Sequence, residues 1–556
     1  MARKKTRLRV IPLGGLDEIG KNMTVFEYGG DMGVVDAGIM FPDEDLPGID
    51  LVLPDYTYIV ERAHKLRGIV ITHGHEDHTG ALPYLLRDLG RTVPIISARL
   101  TLGLISNKLA EHNIKKPDLR QVAAGDTVDL GCFRFRFVAV NHSIPDPFAL
   151  IIETPVGRIL HTGDFKFDQT PIDGRATDFT ALADAGSEGV LLLMSDSTNA
   201  ESPGYTPPEA NVGRALRRIF AATDERIIVA SFASHVHRLQ QVCDAAVESG
   251  RKVVITGRSM IQTVAISRDM GYLHIADENL VDAYAIADLP PQDMVVLSTG
   301  SQGEPLSGLA RMANNEHRTV HIEVGDTVVI SATPIPGNEK AVSRVINKLF
   351  RSGAEVIHKG VADVHVSGHA SAEELKLMLS LAKPRFFLPI HGETRHMYAH
   401  AHLAESVGMD HDDVFVLDNG DCLELSENSA RISEQVQAGV LLVDGLGVGD
   451  VGYAVLRDRQ HMASDGIAMI VVTIDARGGK VLGEPELVMR GVLLTAEDDE
   501  FMAEARARIS KTLARTSKER ATDQGVIKNA LRESLSQLVW ERMRRRPLIL
   551  PIVMEV

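Results

Sequence analysis

Three histidines and an aspartate lie within six residues of one another in the string HGHEDH, at His73, His75, Asp77 and His78. Imidazole and carboxylate groups crowded into one loop need polar partners, and a metal ion would serve them all. His73 and His75 flank a single residue, so in extended backbone both point the same way and can chelate one ion. Asp77 and His78 turn towards a second position. The mixture of imidazole and carboxylate favours zinc or manganese over calcium or magnesium.

This string lies between two predicted secondary-structure elements. The β-branched run of residues 69–72 indicates a strand before it, and LPYLLRDLG indicates a helix after it. Four ligands are too few for two ions and too many for one ion with an open position, so further ligands are expected at other strand ends. The candidates are His142 soon after FRFRFVAV, Asp164 after RILHTG, and His391 after RFFLPI. A lone histidine after a strand is more often a surface or core residue, so these candidates need further support.

The rhythm of the predicted elements changes along the chain. Residues 7–200 contain short β-runs separated by glycine-rich turns, with helical stretches such as TYIVERAHKL between some of them. From about 211 to 360, helices and strands alternate strictly, which predicts a separate unit with a parallel sheet. After about 450, IAMIVVTID and ELVMRGV indicate strands, and residues 498–515 and 525–543 indicate amphipathic helices. The chain is therefore predicted to be an α/β protein of several domains.

Composition narrows the function classes. With 556 residues, 44% hydrophobic and 24% charged, the chain is long enough and apolar enough for sizeable cores. We expect no membrane span and no secretion signal, because no apolar run is long enough and the basic start lacks an apolar stretch. Three distant cysteines, Cys132, Cys243 and Cys422, predict neither a disulfide framework nor a CxxC metal site. A cytoplasmic location fits these features.

The net charge of −16 argues against a protein coated in nucleic acid. Its distribution is uneven, however, because residues 501–556 contain 12 basic and 6 acidic side chains, and residues 3–9 are also basic. Either basic cluster alone is typical of a solvated surface. A polyanion can still be held by a narrow groove or by metal ions, since the local potential decides that contact.

The candidate ligands, in this order, resemble the motifs of the metallo-β-lactamase superfamily. Asp36 in VVDAG, the HxHxDH string, His142 and Asp164 match its pattern, but the final histidine comes only at His391, after a long detour. A detour with an alternating α/β unit inside it resembles the β-CASP nucleases.

Three further β-CASP motifs map onto Asp196 in SDSTNAE, His369 in VSGHAS and His391 in LPIHGE. The strings PLGGLDEIGKN, SFASHVHRLQQ and HVSGHAS, with the extra C-terminal unit, make the chain similar to the bacterial ribonuclease J family from end to end.

This resemblance implies a metallo-β-lactamase αββα sandwich with an inserted β-CASP α/β domain and a small α/β C-terminal domain. The implied boundaries are 1–205 and 365–450 for the metallo-β-lactamase domain, 206–364 for the inserted domain, and 451–556 for the C-terminal domain.

The resemblance also implies a site with two divalent metal ions per chain, zinc ahead of manganese. The implied ligands are His73, His75 and His142 on one ion, Asp77, His78 and His391 on the other, and Asp164 between them. Asp36 would orient a ligand histidine, and His369, positioned by Asp196, would serve as general acid or phosphate contact.

A pocket for the 5′-monophosphate end of single-stranded RNA is a further implication. Its implied residues are Ser231, Ser234, His235, His365, Val366, Ser367, Gly368 and His369. Such a pocket implies 5′→3′ exonuclease activity, with endonuclease activity on RNA that bypasses it, in rRNA processing and mRNA decay. The resemblance also suggests a structural calcium at Gly48, Asp50 and Asp444, a homodimer or homotetramer formed through the C-terminal unit, and other RNA-decay proteins as partners.

Other readings remain open at this point. The nearest are another β-CASP nuclease, either a 3′-end-processing endonuclease or a DNA-repair exonuclease, and a metal-free RNA-binding scaffold. A small-molecule hydrolase such as a β-lactamase is disfavoured because the inserted domain would have no purpose, and a diiron flavoprotein would carry glutamate at the position of His75.

Overall fold

The computed structural model describes residues 6–42, 45–302, 304, 307–335, 338–445, 447–449, 451–475, 481–492, 498–518 and 524–556. They pack into two compact units: one joins the described residues up to Met40 with Leu53–Leu441, and the other joins Phe41–Val52 with Leu442–Val556.

The strands in chain order are β1 Leu8–Gly14, β2 Met23–Tyr28, β3 Asp31–Val35, β4 Leu51–Pro54, β5 Leu66–Val70, β6 Pro94–Ser97, β7 Asp118–Gln121, β8 Thr127–Leu130, β9 Phe133–Ala139, β10 Phe148–Thr154, β11 Gly157–His161, β12 Leu192–Asp196, β13 Ile227–Ala230, β14 Lys252–Ile255, β15 Leu280–Val281, β16 Met294–Ser298, β17 Thr327–Ile330, β18 Glu355–Ile357, β19 Phe386–Ile390, β20 Asp421–Ser426, β21 Ser429–Gln435, β22 Val440–Asp444, β23 Gly447–Val448, β24 Ile467–Ile474, β25 Glu486–Arg490 and β26 Leu548–Glu555. The α-helices are α1 Thr57–Glu61, α2 Glu76–Thr79, α3 Leu82–Leu89, α4 Arg99–Glu111, α5 Phe179–Glu188, α6 Ala210–Ala222, α7 Val236–Glu248, α8 Arg258–Asp269, α9 Gly308–Ala313, α10 Glu339–Arg351, α11 Ala372–Ala382, α12 Thr394–Ser406, α13 Tyr453–Asp465, α14 Asp498–Lys518 and α15 Gln524–Met543.

The two mixed sheets of the first unit share one core, and the buried face of β9 lies in it. Along FRFRFVA, Phe133, Phe135 and Phe137 are buried and the arginines between them are exposed, as in a strand with one core face. These rings pack in one core with Phe26 of β2 and Leu388 of β19, which belong to different sheets. One sheet has the order β21-β20-β1-β2-β3-β5-β6-β7, and the other has the order β19-β12-β11-β10-β9-β8.

Helices cover the outer faces of these sheets. Leu192 and Leu193 of β12 belong to different cores, because neighbouring residues of a strand point to opposite faces. Leu193 packs with Leu182 of α5, Leu375 of α11 and Ala404 of α12, while α4 packs on β6 and β7 of the other sheet. The αββα layering and the α/β fold class predicted from the sequence are confirmed.

The sheet β15-β14-β16-β13-β17-β18 is parallel throughout. Every residue of β16 is buried, as expected for a parallel strand between two helix layers. Leu216 of α6 and Val242 of α7 lie in one core of this sheet, and Leu309 of α9 and Leu349 of α10 lie in the other. The alternating α/β unit predicted over 211–360 is confirmed.

This alternating unit is inserted between two neighbouring strands. Strands β12 and β19 are parallel and adjacent, with Asp196 in register with Ile390. The chain leaves the second mixed sheet after β12 and returns to it at β19, while β11 lies on the other side of β12. The carboxyl ends of β11, β12 and β19 therefore meet at one edge.

One predicted helix is shorter than expected. TYIVERAHKL forms only α1, which ends at Glu61, and a 3-10 turn, before Leu66 begins β5. Leu66 is fully buried where β5 pairs with β3, so sheet pairing overrides the helical pattern.

The C-terminal strands form a small sheet with the order β25-β24-β26. Alternate residues of β24 are buried and pack with Leu531 and Leu535 of α15. The two helices predicted at 498–515 and 525–543 are confirmed as α14 and α15. The residue boundaries of the three predicted domains stay a prediction. In the part of the chain that the structure describes, no helix is both long and apolar enough to span a bilayer.

Candidate metal centre and catalytic site

The predicted metal ligands come together at strand ends of the two mixed sheets. His73 and His75 follow β5, and Asp77 and His78 lie in the short helix α2. Asp164 follows β11 and His391 follows β19. Gly38 makes room for this loop, because a Cβ atom there would lie 1.6 Å from the carbonyl oxygen of Asp77.

Three imidazoles converge on one point. Nε2 of His73 and Nε2 of His142 each lie 3.1 Å from Nδ1 of His75. A tetrahedral site with metal–nitrogen distances of about 2.0–2.1 Å puts its ligand atoms roughly 3.3 Å apart. Oδ2 of Asp164 completes this group, at 3.6 Å from Nε2 of His73 and 3.7 Å from Nε2 of His142.

A second group forms on the other side of Asp164. Nε2 of His78 lies 3.2 Å from Oδ2 of Asp164 and 3.5 Å from Oδ2 of Asp77. His391 completes the group, with Nε2 at 3.4 Å from Oδ2 of Asp77 and Nδ1 at 3.1 Å from Oδ1 of Asp164. Asp164 thus belongs to both groups.

Hydrogen bonds orient these rings. Nδ1 of His78 donates to Oδ2 of Asp36 at 2.8 Å, which leaves Nε2 facing the carboxylates of the second group. Asp36 also accepts from the backbone N–H of Thr72 at 2.8 Å and from its hydroxyl. Nδ1 of His142 donates to the carbonyl oxygen of Gly368 at 2.7 Å. Each ring is held so that its other nitrogen faces the cluster, the usual arrangement around a metal.

Burial determines the protonation of the first group. It lowers the pKa of His75 to about 4, and lowers the pKa values of His73 and His142 well below the ordinary 6.5. Neutral imidazoles carry a free lone pair, the form that binds a metal. In the second group, burial alone would raise the pKa of Asp77, but neighbouring His78 lowers it well below its ordinary value.

One buried atom tests whether these residues fit a metal ion. Nε2 of His391 is buried and has no hydrogen-bond partner among the described residues. Buried polar atoms are nearly always paired, so an unpaired nitrogen facing the Asp77 carboxylate marks the place of a missing partner. Imidazole nitrogens and carboxylate oxygens at these separations fit divalent metal ions of the zinc or manganese type.

His369 lies beside the cluster and is tied to Asp196. Nδ1 of His369 donates to Oδ2 of Asp196 at 2.8 Å, and its ring centroid is 4.9 Å from that of His142. The other oxygen of Asp196 accepts from the backbone N–H and the hydroxyl of Thr198. Burial alone would lower the pKa of His369, but the Asp196 carboxylate raises it.

Comparisons with known proteins match the whole chain. Family models match at residues 34–187 (Beta-lactamase superfamily domain), 224–349 (Ribonuclease J, beta-CASP domain), 353–417 (Zn-dependent metallo-hydrolase RNA specificity domain) and 454–556 (Ribonuclease J C-terminal domain). Ribonuclease J2 of Bacillus subtilis (strain 168) is 41% identical over 559 residues, covering 100% of both chains. The chain belongs to the ribonuclease J family.

Further ribonuclease J relatives agree. Ribonuclease J of Thermus thermophilus is 43% identical over 99% of this chain and 95% of the relative, and that of Mycolicibacterium smegmatis is 42% identical over 99% and 97%. A solved structure described as a protein of unknown function from Enterococcus faecalis V583 covers 75% of this chain and 100% of its own, at 16% identity and a TM-score of 0.53. That likeness concerns the fold alone. The ribonuclease J resemblance inferred from the sequence is confirmed.

The pocket implied by ribonuclease J membership falls into two groups of residues. Ser231 Oγ and His365 Nδ1 are buried, and the described chain offers neither of them a hydrogen-bond partner. His235 instead is engaged, because Nδ1 accepts from the backbone N–H of Arg238 at 3.3 Å and Nε2 lies 3.3 Å from its guanidinium. Ser234, which precedes it, is half-buried.

Residues 365–369 bring part of this pocket to the metal cluster. The hydroxyl of Ser367 accepts from the side-chain amide of Asn199 at 2.8 Å and from the backbone N–H of His369 at 3.2 Å. The carbonyl of Gly368 holds His142, whereas Val366 is buried in the apolar core. The phosphate-binding role of the pocket stays a prediction for this chain.

The suggested calcium ligands are already hydrogen-bonded within the second unit. The guanidinium of Arg459 donates to the carbonyl of Gly48 at 3.1 Å and to the carboxylate of Asp444. The carboxylate of Asp50 accepts from the backbone N–H of Gly445 at 2.8 Å. In this arrangement Gly48 and Asp444 do not offer their oxygens to a calcium ion, because the Arg459 guanidinium occupies them.

Sequence reasoning missed several groups that hold the site. Thr72 bonds to Asp36, Thr198 bonds to Asp196, and Asn199 and Thr206 both donate to the carbonyl of His369. Thr198 and Asn199 stand in the SDSTNAE string directly after Asp196, so that string contained a signal for them.

Proposed function

We propose that the chain hydrolyses phosphodiester bonds of single-stranded RNA, in the 5′→3′ direction from 5′-monophosphate ends and also internally, in rRNA processing and mRNA decay. The chain is a nuclease of the metallo-hydrolase class, as its family membership shows. The observation that carries the finer proposal is the convergence of seven residues into two groups that share Asp164, beside the His369–Asp196 pair.

Two divalent ions, zinc ahead of manganese, are the proposed cofactors. Such ions lower the pKa of bound water and stabilise the attacking and leaving oxygens of a phosphodiester. They would bring four positive charges against the two ligand carboxylates of Asp77 and Asp164, so an RNA phosphate is attracted to the site despite the net charge of −16.

The chain itself supplies proton transfer. Asp196 fixes the ring of His369 through Nδ1 and raises its pKa, which favours the form that also carries a proton on Nε2. That proton can be given to the leaving 3′-oxygen, a step typically worth about 10²–10⁴-fold in rate.

The preference for a 5′-monophosphate is supported by two buried, unpaired groups. Ser231 Oγ can donate to a phosphate oxygen, and His365 lies in the segment that also carries Ser367 and His369. A homodimer or homotetramer, other RNA-decay proteins as partners and a cytoplasmic location remain part of the proposal. Calcium is left out of it, because Arg459 supplies the positive charge at Asp444.

The metal assignment is tested with purified protein and 5′-labelled RNA. We expect elemental analysis to find about two ions per chain, and His75→Ala to lose most nuclease activity; His402→Ala, an exposed histidine of α12, is the matched control. Full activity of His75→Ala after chelator treatment would refute the metal site. Near-zero metal in an RNA-binding wild-type protein would instead support the scaffold alternative.

The pocket is tested with substrates that differ only at the 5′ end. Monophosphate RNA, triphosphate RNA and DNA of one sequence are compared for the wild type and Ser367→Ala. We expect Ser367→Ala to lose the monophosphate preference while internal cuts persist. Equal loss of both activities would contradict the pocket, and faster cleavage of DNA than of RNA would favour the DNA-repair alternative.

A further inference from the structure

Glu374 is a fully buried carboxylate whose contacts extend far beyond its own helix. Locally it closes a capping box at the start of α11, since Oε2 accepts from the backbone N–H of Ser371 at 2.8 Å. The same oxygen also accepts from the backbone N–H of Thr206 at 2.7 Å, and Oε1 accepts from the backbone N–H of Phe167 at 2.8 Å. These two donors are 168 and 207 residues away in the sequence, so helix capping does not account for them.

Two of the three donors belong to segments that carry a site residue, and the third contacts one of these segments. Phe167 comes three residues after Asp164, and Ser371 comes two residues after His369. Thr206 contacts the same segment directly, because its hydroxyl donates to the carbonyl of His369 at 2.7 Å. The carboxylate of Glu374 thus connects the backbone after Asp164 to the backbone that presents His369.

The placement of His369 depends on its backbone. Its carbonyl accepts from Thr206 and, at 3.0 Å, from the side-chain amide of Asn199. Its ring is fixed by Asp196, and Nδ1 lies 4.0 Å from Oδ2 of Asp164. A shift of the loop would therefore move the ring relative to Asp164, and a misplacement of about 1 Å can cost about 10²-fold in rate.

We propose that Glu374 is a positioning residue for RNA hydrolysis, which fixes the His369 loop against the strand end that carries Asp164. This inference rests on the proposed role of His369. Charge strengthens the junction, because hydrogen bonds to an ionised carboxylate are about twice as strong as those between neutral groups. Glu374→Gln keeps the side-chain volume but replaces one accepting oxygen with an N–H donor, so at least one of the three backbone N–H groups loses its partner.

The chain offers a matched control at the next position. Glu373 lies in the same first turn of α11, and its side chain is 44% exposed and pairs with Lys376. Glu373→Gln makes the same chemical change without touching the junction. We expect it to keep the wild-type kcat and KM.

The experiment uses the full-length protein with its metal content measured, and 5′-monophosphate RNA as substrate. We expect Glu374→Gln to lower kcat by about 10- to 100-fold with KM within about threefold, at unchanged metal content. The same change is then made in a His369→Ala background. If Glu374 acts through His369, Glu374→Gln should lower kcat by less than twofold in the His369→Ala background. If Glu374 is merely structural, Glu374→Gln should lower kcat by the same factor in both backgrounds.

The outcomes separate this inference from the proposed function. If His369→Ala alone retains full kcat, the role of His369 in the proposed function is wrong. If His369→Ala loses activity but Glu374→Gln retains kcat, or lowers it equally in both backgrounds, the positioning role is wrong. Should Glu374→Gln fail to fold, Thr206→Val decides, because it removes the hydroxyl that holds His369 and keeps the N–H that Glu374 accepts. Wild-type kcat in Thr206→Val would then overturn the inference.

Discussion

Replacement of Asp36 by asparagine should weaken metal binding although Asp36 belongs to neither ligand group. Its carboxylate accepts from the backbone N–H of Thr72 at 2.8 Å and from Nδ1 of His78 at 2.8 Å. In Asp36→Asn, the amide oxygen can keep the Thr72 bond, but the amide N–H then faces Nδ1 of His78. That nitrogen must become the acceptor, so the ring proton moves to Nε2, which faces Asp77 and Asp164. A protonated nitrogen cannot bind a metal.

Loss of such an orienting partner typically costs about 10- to 100-fold in metal affinity, or about 1.4–2.8 kcal/mol. The assay is a zinc titration of metal-stripped protein against a competing chelator, with single-turnover cleavage of 5′-labelled RNA as a second readout. We expect the binding of one of the two proposed ions to weaken much more than that of the other, because Asp36 bonds directly to His78.

Asp55→Asn is the matched control. Asp55 is also a buried carboxylate of the first unit, but it bonds to the backbone of Thr57 and to Gln437. It should bind zinc as the wild type does. Zinc affinity of Asp36→Asn within twofold of the wild type would refute the tautomer argument, and equal weakening in Asp55→Asn would trace the effect to general destabilisation.

Three further outcomes are expected. Burial alone would raise the pKa of Glu209, but the Arg238 guanidinium lowers it well below the ordinary 4.5. The ion pair therefore stabilises the fold fully at pH values above 4.5. This stabilisation is lost as the pH falls through the lower pKa of the folded state. Glu209→Gln should therefore cost about 3–5 kcal/mol in denaturant unfolding at pH 7 and less at strongly acidic pH. Calcium should leave the melting temperature of the wild type unchanged, whereas Arg459→Gln should lower it and calcium should recover part of the loss. Gly368→Ala should reduce metal content and activity, because its Cβ atom would lie 2.8 Å from the His142 ring.

Each of these outcomes can fail. The same unfolding cost at both pH values would exclude the ion pair as the source of the Glu209 effect. A wild-type melting temperature that rises with calcium but not with magnesium would restore the suggested calcium site. Full metal content in Gly368→Ala would show that the loop yields without disturbing His142.

The candidate metal cluster was accessible from the sequence because the HxHxDH string and the order of the later candidate ligands resemble the motifs of the metallo-β-lactamase superfamily. Asp164 lies three residues after β11 and His391 directly follows β19, and the carboxyl ends of parallel strands in one sheet meet at the same edge. Strict alternation predicted the parallel sheet for the same kind of reason. The helix over TYIVERAHKL failed in part, since the pairing of β5 with β3 is a long-range contact that the local pattern does not contain.

The supporting hydrogen bonds were less accessible, because they depend on where distant segments meet. Asn199 belongs to the SDSTNAE string that contains Asp196, but neither this string nor the sequence around Thr206 indicates a bond to the carbonyl of His369, more than 160 residues away. The same holds for Arg459 of α13, because nothing in its local sequence indicates that its side chain reaches the carbonyl of Gly48. The family resemblance pointed to the candidate ligands and to their partners Asp36 and Asp196, whereas these further partners become visible only with tertiary structure.

The point of insertion has a consequence for the site. Strands β12 and β19 remain paired in register although the inserted unit separates them in sequence, so the insertion does not interrupt the sheet. The chain leaves after Asp196 and returns through His369, and these two residues are hydrogen-bonded to each other. The position of His369 therefore depends on the segment that leads from the inserted unit back to β19, as well as on the ends of β12 and β19. Substitutions that move this segment, such as those at Glu374 or Thr206, should lower kcat while the proposed metal ligands stay in place.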